Sequence, residues 1–371
     1  MPTEVQIAVA GSGKTAEIAK RITNQPSDAV SLAVTFTLNG QLEISSRLDA
    51  RSNQTHETSG WFSFLLHHFV KPYTVALFPK VSPTSLCFVE TEGQIPRGRG
   101  GWKYYFNDLH QPYSARLSLL AKKIVAEVGA APFDRLAQIY SHLYIDEVQD
   151  LRGNDLEILE GLMRSTLNVF ITGDPRQSVI ATSKGDRLHK QYRGAQLINW
   201  FEKQRELGKC TLSFSATTHR FIASIAAFSD LIHDQGLGFA ATRSEIETDA
   251  AHSGIYLVDT DDLELYCAQF DSMPTILRSR KSSMSLPRTE ILTFGRSKGL
   301  TRNRIAVIAT NPIVDWMKTG NALKPDSAAG FYVAVTRAQT SVALVVKGAP
   351  QVLRKLRHEL IDIVRLWTPS A

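Results

Sequence analysis

The sequence predicts an α/β protein of two lobes, each built around a parallel β-sheet. Short apolar segments of β type alternate with helical segments along almost the whole chain, as in strand–helix–strand units. Near the start, one such segment runs straight into a glycine-rich turn and then a helix. A chain of 371 residues is also long for a single hydrophobic core, so we expect two domains.

Composition limits the classes of protein to which the chain can belong. The apolar content of 43% is ample for two cores, and no apolar run approaches the ~20 residues that cross a bilayer. The formal net charge of +6 allows a polyanionic partner without requiring one. Three widely spaced cysteines make no metal-binding pattern and suit a reducing compartment, so we predict a cytoplasmic protein without a leader or membrane segment.

The first predicted element group is a strand over residues 5–9, a glycine turn and a helix over residues 16–21. Glycine lets successive backbone N–H groups point inward at phosphate oxygens, and the helix adds its positive N-terminal end. A lysine here reaches the β- and γ-phosphates, and the hydroxyl after it suits Mg²⁺. Although Ala8 replaces the first glycine of the usual pattern, we predict a nucleotide-binding turn of Ala10, Gly11, Ser12, Gly13, Lys14 and Thr15. The alternative is a chance glycine turn.

The next strand, predicted over residues 29–36, ends in an aromatic residue and a hydroxyl. Ligands bind at the carboxyl ends of parallel strands, so Phe36 and Thr37 lie where a second ligand could sit beside a nucleotide. A plain core position is the alternative for Phe36. A helix with apolar Leu42 follows, and residues 61–70 predict an apolar helix that begins with Trp61. Its aromatic residues suit a core, or base stacking if a ring is exposed, and Trp61 is a candidate nucleic-acid contact.

Residues 91–106 differ in composition from the rest of the first half. They are basic and rich in glycine, with Arg97 and Arg99, and a run of aromatic residues follows. This combination suits a loop that covers a nucleic-acid backbone, and a surface loop without a partner is the equal alternative. The segment falls in a short insertion predicted at about residues 75–140.

Two acidic residues end the strand predicted at residues 143–145. In a chain with a phosphate loop, an acid at this place holds Mg²⁺, a role that fits Asp146. Glu147 is placed to accept a proton from an attacking water. After the strand at residues 168–172, Gln177 can hydrogen-bond a γ-phosphate or that water. An exposed basic loop is predicted over residues 181–194.

The second half repeats the alternation without a phosphate loop of its own. We predict strands at residues 210–214, 255–258, 290–294 and 305–309, with a last strand at residues 341–346. Helices are predicted at residues 221–232 and 331–338, and a basic amphipathic helix closes the chain. The predicted domains are residues 1–205 and 206–371. Arginines of the second domain could act as fingers on a nucleotide held by the first.

Taken together, the motifs resemble those of superfamily 1 helicases of the UvrD/Rep branch. The resemblance runs from Ala8 to about Val346 and rests on motifs that occur in the family's order. They are Ala-Gly-Ser-Gly-Lys-Thr at 10–15, Val-Thr-Phe-Thr at 34–37, Asp-Glu-Val-Gln-Asp at 146–150, Gly-Asp-Pro-Arg-Gln at 173–177, His-Arg at 219–220, Ser-Lys-Gly-Leu at 297–300 and Tyr-Val-Ala-Val-Thr-Arg-Ala at 332–338.

The resemblance implies two RecA-like P-loop NTPase lobes, with ATP and Mg²⁺ in the cleft between them and single-stranded DNA across both. It makes Asp146 and Thr15 the metal-holding pair, Glu147 the catalytic base and Gln177 the sensor of the γ-phosphate. It makes Arg220 and Arg337 arginine fingers. His219, Lys298 and Gly299 would contact the nucleotide, and Phe36 would stack on a DNA base.

Several departures from the family pattern change what we expect. The adenine-reading glutamine has no place before the phosphate loop, and Thr301 stands where an acid usually holds the ribose, so nucleotide choice should be looser. Only about 70 residues separate Arg220 from Thr293, where full helicases insert a large subdomain. We therefore expect a reduced motor whose unwinding of a plain duplex is weak.

Two classes of function fit the sequence. The first is a single-stranded-DNA-stimulated ATPase that translocates, with 3′→5′ polarity implied by the resemblance. The second is an ATP-gated switch subunit of a larger complex, for example with a nuclease partner in a bacterial antiviral defence system. A small-molecule kinase on a P-loop fold is disfavoured because it leaves Gln177 and Arg337 unexplained.

Overall fold

Two six-stranded sheets organise the chain in the computed structural model, which describes residues 3–49, 55–89, 92–95, 101–180, 182, 188–279 and 286–369. The chain divides into two units. The first comprises Met1–Ile7, Lys14–Gly173 and Ile180–Ser213, and the second comprises Ala8–Gly13, Asp174–Val179 and Phe214–Ala371. Helices accompany both sheets, so the predicted α/β class with two parallel sheets is confirmed.

The first sheet contains six strands in the order β3-β2-β4-β5-β1-β6, and β1 to β5 pair in parallel. The strands are β1 (Thr3–Ala8), β2 (Val30–Thr35), β3 (Thr55–Gly60), β4 (His142–Ile145), β5 (Asn168–Gly173) and β6 (Cys210–Ser215). The central strands are almost continuously apolar because both of their faces are buried. Because β1 to β5 run parallel, their carboxyl ends share one edge of the sheet.

Eight α-helices accompany this sheet in the described part of the first unit. They are α1 (Lys14–Thr23), α2 (Leu38–Asp49), α3 (Trp61–Phe64), α4 (Thr74–Leu77), α5 (Leu117–Val128), α6 (Ala131–Ile139), α7 (Asn154–Met163) and α8 (Leu197–Glu206). A π-helical turn, Leu65–Val70, directly continues α3. Ile18 and Ile22 of α1 pack with Ile44 of α2 and with Phe170 of β5 in a buried cluster. This packing places the start of α1 beside the sheet.

The second sheet has the strand order β11-β10-β12-β13-β9-β14, and its pairings are parallel. A short pair, β7 (Thr217–Thr218) and β8 (Arg243–Ser244), precedes β9 (Gly254–Asp259), β10 (Thr275–Arg278), β11 (Ile291–Thr293), β12 (Arg302–Ile308), β13 (Ala338–Val346) and β14 (Val364–Leu366). The helices of this unit are α9 (Ala223–Asp230), α10 (Leu263–Ala268), α11 (Asn311–Thr319), α12 (Pro325–Val335) and α13 (Ala349–Leu353). Phe331 and Tyr332 of α12 are fully buried in its main core, so α12 is the central helix of this unit.

Four details differ from the sequence-based expectations. β3 and β10 were not expected, and β14 follows the strand predicted to be last. The closing helix is only Ala349–Leu353. The strand Cys210–Ser215 joins the first sheet, although it was assigned to residues 206–371. On α2, Leu42 is 68% exposed whereas Ile44 is buried.

The described residues contain no helix that is long and apolar enough to cross a membrane. They also contain no group of three or more His, Cys, Asp or Glu side chains that could hold a metal ion by themselves.

A buried histidine makes the fold sensitive to acid. His68 lies in the π-helical turn with its ring against Phe64 and Tyr140, at centroid distances of 5.5 and 5.6 Å. Burial lowers the pKa of its imidazole to about 4, from an ordinary value of 6.5. The unfolded chain therefore takes up the proton more readily than the folded chain. Stability should fall as the pH is lowered from about 6.5 towards 4.

We predict that His68→Leu weakens this loss of stability, because one buried imidazole no longer has to be protonated on unfolding. The measurement is the unfolding midpoint in urea at a series of pH values from 7 to 4. His67→Gln, which removes the exposed neighbouring imidazole, is the matched control and should keep the parent's acid sensitivity. The same pH dependence in His68→Leu and in the parent would contradict the assignment.

Candidate functional site

The turn after β1 has the backbone that its glycines predict. Gly11 and Gly13 have φ values of 76° and 82°, in the left-handed region that side chains with a Cβ rarely adopt. Within the second unit, the Ala10 carbonyl accepts a hydrogen bond from Thr218 Oγ1 at 2.8 Å, and the Gly11 carbonyl accepts one from the His219 backbone N–H at 2.9 Å. The carbonyls of the turn are therefore held by the chain around β7.

Gly11 is required for a second reason, because the structure leaves no space for a side chain at this position. A Cβ on Gly11 would lie 2.5 Å from the Cβ of Arg220 and 2.6 Å from Thr218 Oγ1, whereas a Cβ on Gly13 would meet nothing within 4 Å. Ser12 between them donates its backbone N–H to the Val9 carbonyl at 3.3 Å. Arg220, which the resemblance makes an arginine finger on a bound nucleotide, therefore lies beside this turn.

The two residues after the turn begin α1 in the first unit. Thr15 Oγ1 donates a hydrogen bond to Asp146 Oδ2 at 3.0 Å, so the hydroxyl and carboxylate predicted to hold a metal lie side by side. Burial raises the pKa of Asp146 to about 6, and Glu147 adds to the rise, while Lys14 and the Thr15 hydroxyl oppose it. Oxygen donors of this kind suit Mg²⁺, and a buried carboxylate benefits from a neighbouring cation, so these residues fit the ion.

Glu147 has strained backbone geometry. It has a φ of 57° in the left-handed region, which costs a residue with a Cβ of order 1–3 kcal/mol. Its backbone N–H donates to Asp146 Oδ1 at 2.8 Å, and its carboxylate accepts a hydrogen bond from the Gln149 amide. The strain and these contacts fix the direction of the Glu147 side chain at the end of β4.

Asp174 is the centre of a buried polar network in the second unit. Its carboxylate accepts hydrogen bonds from Arg176 Nε at 3.0 Å, from Gln177 Nε2 at 3.1 Å and from the Tyr332 hydroxyl at 3.0 Å. Arg176 also contacts Asp230 Oδ1 at 3.0 Å, which ties the network to α9. Burial raises the pKa of Tyr332 well above its ordinary value, so its hydroxyl remains a donor.

Gln177 joins this network to Arg337. Its side-chain oxygen accepts a hydrogen bond from Arg337 Nη2 at 3.0 Å, and both side chains are buried. Arg337 is only 1% exposed and is further held by a bond from its Nε to the Val333 carbonyl at 3.0 Å. Arg220 is half-buried and donates from Nη1 to the Thr336 carbonyl at 3.4 Å. Three of the residues predicted to act on a phosphate thus lie on or beside the end of α12.

The other predicted nucleotide contacts lie at the surface of the second unit. His219 is exposed, and its Nδ1 lies 3.0 Å from Glu245 Oε2. Lys298 is half-buried after a 3₁₀ turn, and Gly299 is exposed with a φ of 85°. Stacking of His219 on a base and contact of Lys298 and Gly299 with the nucleotide remain predictions.

The predicted nucleic-acid contacts have different environments. Phe36 is half-buried, and the Thr37 hydroxyl accepts the Gly40 backbone N–H at 3.1 Å at the start of α2. Trp61 is 1% exposed, and its Nε1 donates to the buried Asp155 carboxylate at 2.7 Å. A base cannot stack on a ring buried in this way, so Trp61 is not part of the interface proposed below. Arg97 and Arg99 lie outside the described residues.

Several residues of these networks had no role predicted from the sequence. Thr218 lies 208 positions from Ala10, whose carbonyl it contacts, and Asp230 and Tyr332 lie 54 and 158 positions from their partners Arg176 and Asp174. No spacing rule connects such positions. Gln149 is different, because a side chain two residues after the proposed base could have been recognised as its neighbour.

Comparison with known proteins leaves the family open. No family model and no curated protein match the sequence. Two solved structures of arterivirus nonstructural protein 10, a helicase, resemble the chain, each at 15% sequence identity. The first has a TM-score of 0.45, and the second, a complex with DNA, has a TM-score of 0.46. They cover 96% and 94% of this chain, which spans 62% of the length of each. A likeness of this degree assigns neither a family nor an activity.

We predict that Gly11→Ala destabilises the protein more than Gly13→Ala does. Both changes place a Cβ at positive φ, which costs of order 1–3 kcal/mol, and only Gly11→Ala adds a clash with Thr218 and Arg220. Overpacking of this kind costs a further ~1–3 kcal/mol. Calorimetric melting of the two variants measures the difference. Equal melting temperatures would show that the space around Gly11 is not restrictive.

Proposed function

We propose that the chain is an ATP-hydrolysing nucleic-acid motor of the superfamily 1 helicase type, stimulated by single-stranded DNA. The observation that carries this proposal is the buried hydrogen bond between Gln177 and Arg337. It joins a glutamine that can contact a γ-phosphate to an arginine that can stabilise its transfer. A P-loop kinase of small molecules would leave this pair without a role.

The nucleotide would be held through its phosphates. Backbone N–H groups of the glycine turn and the Lys14 ammonium would bind the β- and γ-phosphates. Thr15 and Asp146 would hold Mg²⁺, which neutralises phosphate charge when it is bound. The hydrogen bond between these two side chains supports the assignment, because it places both oxygens beside each other. His219, Lys298 and Gly299 would complete the nucleotide contacts.

Glu147 would act as the general base. Its carboxylate would accept a proton from the water that attacks the γ-phosphate. The left-handed backbone and the hydrogen bond from Gln149 support this role, because together they limit the positions that the carboxylate can take. Strained backbone geometry of this kind occurs frequently at catalytic residues.

Arg337 and Arg220 would stabilise the charge that develops on the transferring phosphoryl group. Arg337 is held at its Nε by Val333 and at its Nη2 by Gln177, so little side-chain entropy remains to be lost. Gln177 would sense the γ-phosphate and transmit its presence to Arg337 through their hydrogen bond. The Asp174 carboxylate would position Gln177 for this exchange.

Nucleic acid would lie near the carboxyl ends of the first sheet. Phe36 and Thr37 follow β2 at that edge and would contact single-stranded DNA. Arg97 and Arg99 would contribute salt-dependent backbone contacts. We propose 3′→5′ translocation, and weak unwinding without a partner protein, on the resemblance alone.

The catalytic assignment is tested by Glu147→Gln. The amide cannot accept a proton, so this variant should bind ATP with parent-like affinity while its turnover falls by ~10²-fold or more. Nucleotide binding is measured with a fluorescent ATP analogue, and hydrolysis by phosphate release. Glu127→Gln, an exposed change on α5, is the matched control. Parent-like turnover in Glu147→Gln would refute the assignment of the base.

The finger assignment is tested by Arg337→Lys and Arg220→Ala. Lysine keeps the charge at 337 but loses the forked donor geometry that reaches Gln177 and phosphate together. We expect kcat to fall by up to ~10³-fold in each variant, with a much smaller change in nucleotide affinity. The exposed Arg354→Ala serves as the control. Loss of affinity with an unchanged kcat would mean that these arginines bind the ground state only.

A further inference from the structure

Three phenylalanine rings of the first unit form a continuous row that ends in solvent. Phe36 and Phe62 meet edge to face with ring centroids 5.6 Å apart, and Phe62 and Phe88 meet in the same way at 6.0 Å. Phe36 and Phe62 are half-buried, whereas the side chain of Phe88, at the other end, is 71% exposed. We call these three residues the phenylalanine row.

The position of the row follows from the sheet. Phe36 comes directly after β2 and Phe62 lies in α3 directly after β3, and the ends of these strands pair in register, Thr35 with Gly60. Two rings are therefore contributed by neighbouring strands at their carboxyl ends, where ligands of parallel sheets bind. Phe88 comes from a separate segment more than 20 residues further along.

The exposure of Phe88 is not that of a loose loop. The residues around Phe88 are hydrogen-bonded to the segment 112–114. The Cys87 backbone N–H donates to the Pro112 carbonyl at 3.0 Å, and the Cys87 carbonyl accepts from the Ser114 N–H at 2.9 Å. Val89 N–H donates to Ser114 Oγ at 3.3 Å. The Phe88 ring is therefore held in solvent by an ordered backbone, at the end of the row, where a ligand can reach it.

The stretch of sequence that contains Phe88 is basic, which favours a polyanion. Residues 71–128, which contain Phe88, carry eight lysines and arginines against four acids. A basic segment attracts phosphate backbones, and aromatic rings stack on bases irrespective of sequence. Charge and apolar area alone would also suit an acidic protein, and the stacking of bases on the rings is what distinguishes a nucleic acid.

We propose that Phe62 and Phe88 extend the contact made by Phe36 into a stacking surface for the bases of single-stranded nucleic acid, with Phe88 as its outer end. This inference rests on the proposed function, because it requires that the chain binds a single strand. Each base stacked on an aromatic side chain strengthens binding, and removal of one ring weakens it by about tenfold. The ionic part of the affinity is untouched by the loss of a ring.

The experiment measures binding of a fluorescein-labelled oligodeoxythymidine by anisotropy at several salt concentrations. Phe88→Ala should raise the Kd by about tenfold without changing the slope of log Kd against log salt. Phe88→Tyr, which keeps a ring, should restore tight binding, whereas Phe88→Leu, which keeps only apolar area, should not. Leu109→Ala removes an equally exposed apolar side chain, 72% exposed, and should bind like the parent.

The outcomes separate this inference from the proposed function. If the parent binds the oligonucleotide and Phe88→Ala or Phe88→Leu binds it equally well, the stacking surface is wrong and the motor proposal stands. If the parent itself does not bind, the nucleic-acid part of the proposed function fails and the stacking surface fails with it. Weak binding in Phe88→Ala and Phe88→Leu, together with recovery in Phe88→Tyr, supports stacking.

Discussion

The Asp174 carboxylate is fully buried and accepts hydrogen bonds from Arg176, Gln177 and Tyr332. An ionised carboxylate without partners would be very unfavourable in this environment, and loss of one member of a buried ion pair typically costs ~3–5 kcal/mol. The groups around Asp174 are therefore constrained together. Gln177 is held on one side by Asp174 and on the other by Arg337, so the position of each depends on the same carboxylate.

This network places a polar centre within the apolar core of the second unit. Tyr332 belongs to the buried face of α12, and its hydroxyl is satisfied by the hydrogen bond that it donates to Asp174. Arg176 stacks its guanidinium 4.7 Å from the Tyr332 ring centroid and continues to Asp230. A change in the contacts of Gln177 would therefore alter the hydrogen bonds that the network makes with α12 and α9. A motor that converts phosphate binding into movement needs coupling of this kind.

Much of the fold could be predicted because buried parallel strands have a strong sequence pattern. β2 and β5 are short apolar runs followed by turn residues, and both were predicted within a residue or two. β3, with the sequence Thr-His-Glu-Thr-Ser-Gly, was missed because an edge strand need not be apolar. β14 has only three residues, too few for any periodicity to show.

The site was predictable where its residues follow strands or form a local turn. Asp146 and Thr15 were each expected to contact Mg²⁺, and the structure brings their side-chain oxygens to 3.0 Å. The burial of Trp61 could not be predicted, because a run of aromatic residues has the same sequence pattern whether it faces a core or a ligand. Its hydrogen-bond partner, Asp155, lies 94 positions away in the sequence. Contacts such as that of Tyr332 with Asp174 depend on the tertiary fold, which no local pattern contains.

The proposed motor couples nucleotide hydrolysis to a single nucleic-acid strand. The most direct measurement is the rate of ATP hydrolysis by the purified chain in Mg²⁺, with and without oligodeoxythymidine, over a range of salt concentrations. We predict that the oligonucleotide stimulates hydrolysis and that this stimulation declines steeply as the salt concentration rises. Hydrolysis that no DNA or RNA strand changes would contradict the motor, and would favour a subunit whose nucleotide state switches a partner protein.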